Sequence, residues 1–143
     1  MLAKLLVALL LMAVCVAIHA VGLTAAVHWM RRVPKSLPMS FKRSVGVLIA
    51  IAASAILLHL LEIAVWALFY ALEHGMPDLP TALYFSAVTY TTTGYGDLVL
   101  PPEWRLVGGV EALTGILMCG LSTGFFFAAL AKTFESASTA QRD

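Results

Sequence analysis

Three apolar runs, each long enough to cross a lipid bilayer, constrain this chain more than any other feature. Residues 5–30 are apolar except for His19, Thr24 and His28. Residues 44–72 are interrupted by His59 and Glu62, and residues 106–131 by Glu111. Crossing the hydrocarbon layer as a helix takes about 20 residues, and each run exceeds that. Lipid offers the backbone no hydrogen-bond partner, so helix is the expected form of all three. The composition agrees, with 61% hydrophobic and 12% charged residues. Soluble domains carry about 25% charged residues, so the apolar surface here must face lipid. The net charge of +1 points to no acidic or nucleic-acid partner. Cys15 and Cys119 both fall inside apolar runs and form no CxxC or Cys/His ligand cluster, so both are expected to be small buried residues.

A fourth apolar segment, residues 81–91, is too short to span: as a helix it measures about 16 Å. Asp78 and Pro80 precede it, and Thr81 is the expected N-cap. A short apolar helix followed by a Gly-containing stretch reads as a re-entrant loop, which requires surrounding protein or a water-filled cavity. Arg31, Arg32, Lys35, Lys42 and Arg43 cluster between the first two runs, whereas residues 73–80 carry Glu73 and Asp78 and no Lys or Arg. The positive-inside rule then puts the basic loop in the cytoplasm, the N-terminus and residues 73–105 outside, and the tail with Lys132 and Arg142 inside. A cleaved signal peptide ending near Ala17-Ile18-His19-Ala20 is the rival reading of the N-terminus. The apolar run continues past that point to Met30, which favours a retained helix.

The chemistry is concentrated in Thr92-Thr93-Gly94-Tyr95-Gly96-Asp97. A cation crossing a membrane must exchange its hydration shell for protein oxygens. Backbone carbonyls supply these only if consecutive ones face a common axis, which demands alternating backbone conformations that include positive φ. Glycine enters that region without steric cost, which accounts for Gly94 and Gly96. One chain builds one wall, so a closed cage calls for several copies, and four around an axis complete it.

The stretch from Ala82-Leu83-Tyr84-Phe85-Ser86 through Asp97, with its flanking helices, resembles the pore domain of the potassium-channel family, of the bacterial one-pore-loop type. The resemblance covers residues 44–134 and implies an outer helix 44–72, a pore helix 81–91, a filter 92–97 and an inner helix 104–134. Residues 1–43, an additional transmembrane helix and basic loop, lie outside it, and residues 135–143 form a short tail. The implied fold is an all-α membrane protein: three transmembrane helices plus a re-entrant pore helix and filter strand, assembled as a homotetramer in a bacterial inner membrane. The resemblance also implies potassium ions as permeant ligand, held at Thr92, Thr93, Gly94 and Tyr95, with Gly96 at the mouth and no other cofactor. Tyr95's ring is expected to turn from the axis into the pore-helix aromatics, and Asp97 to anchor the filter from outside.

Departures from the family pattern fall around the filter. Thr93 stands where many members have Val or Ile. Tyr84-Phe85 replaces a Trp-Trp pair, and Phe85 cannot hydrogen-bond. Val88 occupies a position where some bacterial members carry a Glu that bonds the filter Asp. Glu111 is expected to bond backbone behind the filter, to pair with Arg105, or to contact ions directly. Gly115, Gly120 and Gly124 on the third run read either as close-packing positions or as a hinge, with Gly120 preferred for the hinge. Phe125, Phe126 and Phe127 read either as an inner constriction or as packing. His59 and Glu62 share one helix face near mid-membrane, where ionisable groups are costly. They read as a mutual hydrogen bond, a contact to the first helix through His19, or a proton sensor. His74 is an outer-loop group, solvated or proton-responsive.

The function these features predict is passive, potassium-selective conduction. A weakly selective cation channel is the alternative, and a transporter or accessory membrane subunit a more distant one, since transporters of this type carry several degenerate pore loops. No enzyme is expected: no nucleophile, base and orienter stand together, and neither a Walker loop nor a Rossmann fingerprint is present.

Overall fold

The computed structural model describes residues 2–32, 41–73 and 75–139. The helices are α1 (Leu2–Arg32), α2 (Phe41–Leu72), α3 (Leu79–Tyr90) and α4 (Arg105–Thr139), with a 3-10 turn at Pro102–Trp104 leading into α4. Among the described residues α1, α2 and α4 are long and apolar enough to cross a membrane. Most of their large apolar side chains are exposed in the single chain, including Leu10, Ile49, Leu57, Leu72 and Ile116. Lipid-facing helices have this character, because hydrocarbon replaces the protein core as their apolar surroundings.

The fold is a short helix held among three long ones. α3 packs against both α2 and α4, and α1 packs along the same two helices. The core gathers at the centre of this arrangement: Trp66, Ala67 and Tyr70 of α2, Ala82 and Phe85 of α3, Val107 and Met118 of α4, and Ala8 and Cys15 of α1. Phe85 meets Tyr70 edge-on at 5.3 Å, and Phe69 meets Trp104 edge-on at 5.5 Å, as aromatic quadrupoles favour. Lys4 of α1 sets its ammonium 3.8 Å from the centre of the Trp104 ring. The start of α1 is thereby tied to the same end of the bundle as the turn that leads into α4.

Several boundaries differ from the sequence expectation for local reasons. α3 begins at Leu79, because Asp78 and not Thr81 is its N-cap: Asp78 Oδ1 accepts the Thr81 N–H at 2.8 Å. Thr81 is the donor inside the first turn, and Pro80 sits where a missing N–H costs nothing. The Thr81 backbone N–H holds the Asp78 carboxyl below the usual carboxylate range. The stretch after α3 is an irregular extended segment, since no described residue lies in a β-ladder. Cys15 is buried as expected, but Cys119 is exposed on α4. His74, Lys35 and Arg142 lie outside the described residues.

Candidate functional site

Thr91 ends α3 and starts the site. Its N–H and its hydroxyl both bond the Ala87 carbonyl, at 3.1 and 2.7 Å. The chain then leaves the helix through three residues at positive φ alternating with residues that are not: Thr92 at 58°, Gly94 at 54° and Gly96 at 77°. Such alternation is what a row of carbonyls facing one direction requires. Glycine was the signal for it at 94 and 96, and nothing within 4 Å of either would meet a Cβ, so backbone conformation alone accounts for glycine there. Thr92 escaped that signal, because a β-branched residue at positive φ is a strained outlier.

Backbone bonds from α3 hold the start of this segment. The Val88 carbonyl accepts the Thr93 N–H at 2.9 Å and the Gly94 N–H at 3.2 Å, and the Thr89 carbonyl accepts the Thr92 N–H at 2.9 Å. Val88 therefore touches this segment through its main chain, which any residue there could provide. Thr93 Oγ1 lies 3.0 Å from Thr91 Oγ1, a bond that Val or Ile at position 93 could not make. At the other end, the Tyr84 hydroxyl donates to Asp97 Oδ2 at 2.7 Å. That bond is the chief reason the Tyr84 hydroxyl titrates above its usual range.

Residues 91–97 are exposed in the single chain, Tyr95 by 71%. The Tyr95 ring does not pack on aromatics of α3 in its own chain. Phe85 is turned the other way, buried against Tyr70.

Behind the segment, Glu111 is fully buried. Its Oε2 accepts the Tyr70 hydroxyl at 2.8 Å, and its Oε1 lies 2.5 Å from Ser86 Oγ. It thus joins α2, α3 and α4 through side chains and does not pair with Arg105, whose Nε donates to the Leu100 carbonyl at 3.3 Å. Tyr70 and Ser86 were not legible as its partners, since both belong to apolar-looking helices 25 or more residues away in sequence.

The three α4 glycines divide. Gly115 abuts the end of α3, where a Cβ would collide with the Tyr90 carbonyl. Gly120 and Gly124 have nothing within 4 Å, and α4 runs on as helix through both. Phe126 and Phe127 stack edge to face at 6.4 Å, and Phe127 is exposed.

A second polar cluster lies deeper, at the level of Tyr90. His19 Nδ1 is 2.9 Å from Glu62 Oε1, and the Tyr90 hydroxyl donates to Glu62 Oε2. His59 Nδ1 is 3.1 Å from the Tyr90 hydroxyl. One of the readings open in the sequence is thus present, since Glu62 reaches α1 through His19; His59 lies 3.5 Å from Glu62 and has its hydrogen-bond contact with the Tyr90 hydroxyl instead. Tyr90 was missed. A tyrosine in an apolar helix needs a partner for its hydroxyl, and Glu62 and His59 were the available groups.

Residues 46–132 match the family model described as "Ion channel". Among curated proteins, the chain is 43% identical over 58 residues to "Potassium voltage-gated channel protein shk-1" of Caenorhabditis elegans, covering 36% of this chain and 11% of that protein. It is 39% identical over 61 residues to "Potassium voltage-gated channel protein Shal" of Drosophila melanogaster, covering 38% of this chain and 10% of that one. The chain thus spans about a tenth of the length of these relatives. No solved structure is a significant match. With a family match over more than half its length, around a short helix and an exposed segment of alternating backbone, the chain belongs to the ion-channel family, with a pore domain of the potassium-channel type.

Proposed function

We propose that four copies of this chain surround a common axis and conduct potassium ions passively across the membrane. The carbonyls of Thr92, Thr93, Gly94 and Tyr95, with the Thr92 hydroxyl below them, replace the hydration shell, and Gly96 forms the mouth. This is the established filter chemistry of potassium channels. The observation that carries the reading is the alternation of positive φ at Thr92, Gly94 and Gly96 in a segment exposed on the single chain. A strained threonine and two unpacked glycines serve no purpose in a lone subunit. They serve a ring of carbonyls that neighbours complete. The same assembly supplies a surface for Tyr95 on an adjacent subunit. The C-terminal end of α3, whose dipole is negative, stabilises a cation below the filter. The basic loop lies in the cytoplasm and the filter mouth outside.

Purified protein in liposomes with a potassium gradient is expected to pass K+ and to exclude Na+ when the ions are exchanged. Mass photometry in detergent is expected to show the mass of four chains. Absence of flux, equal K+ and Na+ flux, or monomers and dimers alone overturns the proposal. Equal flux would favour a weakly selective cation channel. One observation points that way: Phe85 lies against Tyr70, leaving Tyr84 as the pore-helix hydroxyl that reaches Asp97.

A further inference from the structure

The cluster around Glu62 takes no part in the filter, yet it gathers side chains from all four helices at a depth where polar groups are expensive. We propose that His19, His59 and Glu62 form a binding site for a divalent transition-metal ion of the Zn2+ class. Two imidazole nitrogens and one carboxylate oxygen are the donor set of zinc sites with three protein ligands. Ca2+ and Mg2+ ask for oxygen ligands throughout, so a site with two nitrogens and one carboxylate discriminates against them.

The distances suit the ion. Donors at about 2.0–2.1 Å from a tetrahedral centre lie about 3.3 Å from each other. His19 Nδ1 lies 2.9 Å from one Glu62 oxygen, Oε1, and His59 Nδ1 3.5 Å from the other, Oε2, so either oxygen can serve as the carboxylate ligand. One donor atom from each of the three residues falls within 4.8 Å of the other two, so closing on an ion takes small side-chain rotations. The Tyr90 hydroxyl, 3.1 Å from His59 Nδ1, is placed to supply the fourth ligand.

The outer support is also present. Ser122 Oγ of α4 lies 3.1 Å from His19 Nε2. Without metal His19 Nδ1–H faces the Glu62 carboxylate; on binding the ring takes its other tautomer, Ser122 Oγ accepts the Nε2–H, and the Nδ1 lone pair is freed for the ion, as second-shell partners do for metal-bound histidines. All the groups stand on helices, which hold a constellation more rigidly than loops. The same groups hydrogen-bond one another, so binding exchanges those bonds for coordinate ones. The His59 side chain is 19% exposed, giving the cluster one edge at the surface of the chain. An occupied site would staple α1 to α2 beside Tyr90, the residue that ends the pore helix.

The test uses the full chain, purified in detergent without a polyhistidine tag, stripped with chelator and titrated with Co2+, then Zn2+. The expected result is the visible absorption of tetrahedral Co2+, its displacement by Zn2+, and about one Zn2+ per chain retained after desalting. His59→Gln and Glu62→Gln are expected to weaken Zn2+ binding at least tenfold, and Ser122→Ala about tenfold, through loss of outer support. His28→Gln, which alters an exposed histidine elsewhere on α1, is expected to bind as the parent does. Each variant is compared at the same oligomeric state by gel filtration. No retained metal in the parent, or retention unchanged in His59→Gln and Glu62→Gln, overturns the proposal. The readout needs no ion conduction, so it stands or falls separately from the channel reading.

Discussion

Gly115→Ala is the substitution on which the packing of the pore helix can be tested most directly. A Cβ at this position would lie 2.7 Å from the carbonyl carbon of Tyr90 and 3.1 Å from its Cδ1. Carbon atoms rest at about 3.5–4.0 Å, and the Tyr90 carbonyl oxygen is closer still, so α4 and the end of α3 must separate by more than about 1 Å. The obstacle is main chain, immediately before Thr91 and Thr92, and cannot rotate away as a side-chain tip would. Overpacking of this kind costs about 1–3 kcal/mol. Replacing glycine inside a helix returns up to about 1 kcal/mol. The net expectation is a loss of about 1–2 kcal/mol per subunit, with the shift passed into Thr91 and Thr92. Gly120→Ala and Gly124→Ala meet no atom within 4 Å of the new Cβ in the chain, so neither carries the intrachain clash. Thermal unfolding of the purified protein in detergent, followed by tryptophan fluorescence, measures the first effect, and K+ flux in liposomes the second. A Gly115→Ala protein that melts and conducts like the parent would refute the close approach of α4 to Tyr90.

Three further outcomes are expected. Gly96 sits at φ 77° with open space around it, so Gly96→Ala should cost about 1–2 kcal/mol per subunit in backbone strain and impair K+ selectivity. D-alanine introduced there by ligation should be tolerated, and equal behaviour of the two enantiomers would exclude the assigned conformation. The depressed Asp78 carboxyl contributes stability at neutral pH that is lost as pH falls through its folded pKa, below the ordinary carboxylate range. Asp78→Asn keeps the cap and should lack that component of the acid response, whereas Asp78→Ala should melt lower at neutral pH; an identical acid response in parent and Asp78→Asn would count against the cap. In a background lacking Cys15 and Cys119, a membrane-impermeant thiol reagent applied to intact cells should label Asp78→Cys and miss Ser36→Cys, and the reverse pattern would invert the topology.

The sequence alone determined what depends on short stretches of chain. Lipid demands a helix of a given length, so the three spans were legible from uninterrupted apolar runs. Positive φ at positions 94 and 96 was legible from the residue type, because glycine marks it. It failed at Thr92, where strain is imposed by the bonds to Thr89 and Val88 and leaves no mark in residue type. The cap at Asp78 was misplaced by three residues, since Asp78 and Thr81 are both competent capping residues, and only geometry shows which accepts. Tertiary structure alone decided the buried partners. Glu111 chose Tyr70 and Ser86 over Arg105, and His19 reached Ser122 across 103 positions of sequence. A buried carboxylate bonds whichever donor the helix packing brings within reach, and periodicity specifies a face but not the neighbour across it. The same reason separates Gly115 from Gly120. Both are small residues on one apolar helix, and they differ only in which of them another backbone approaches.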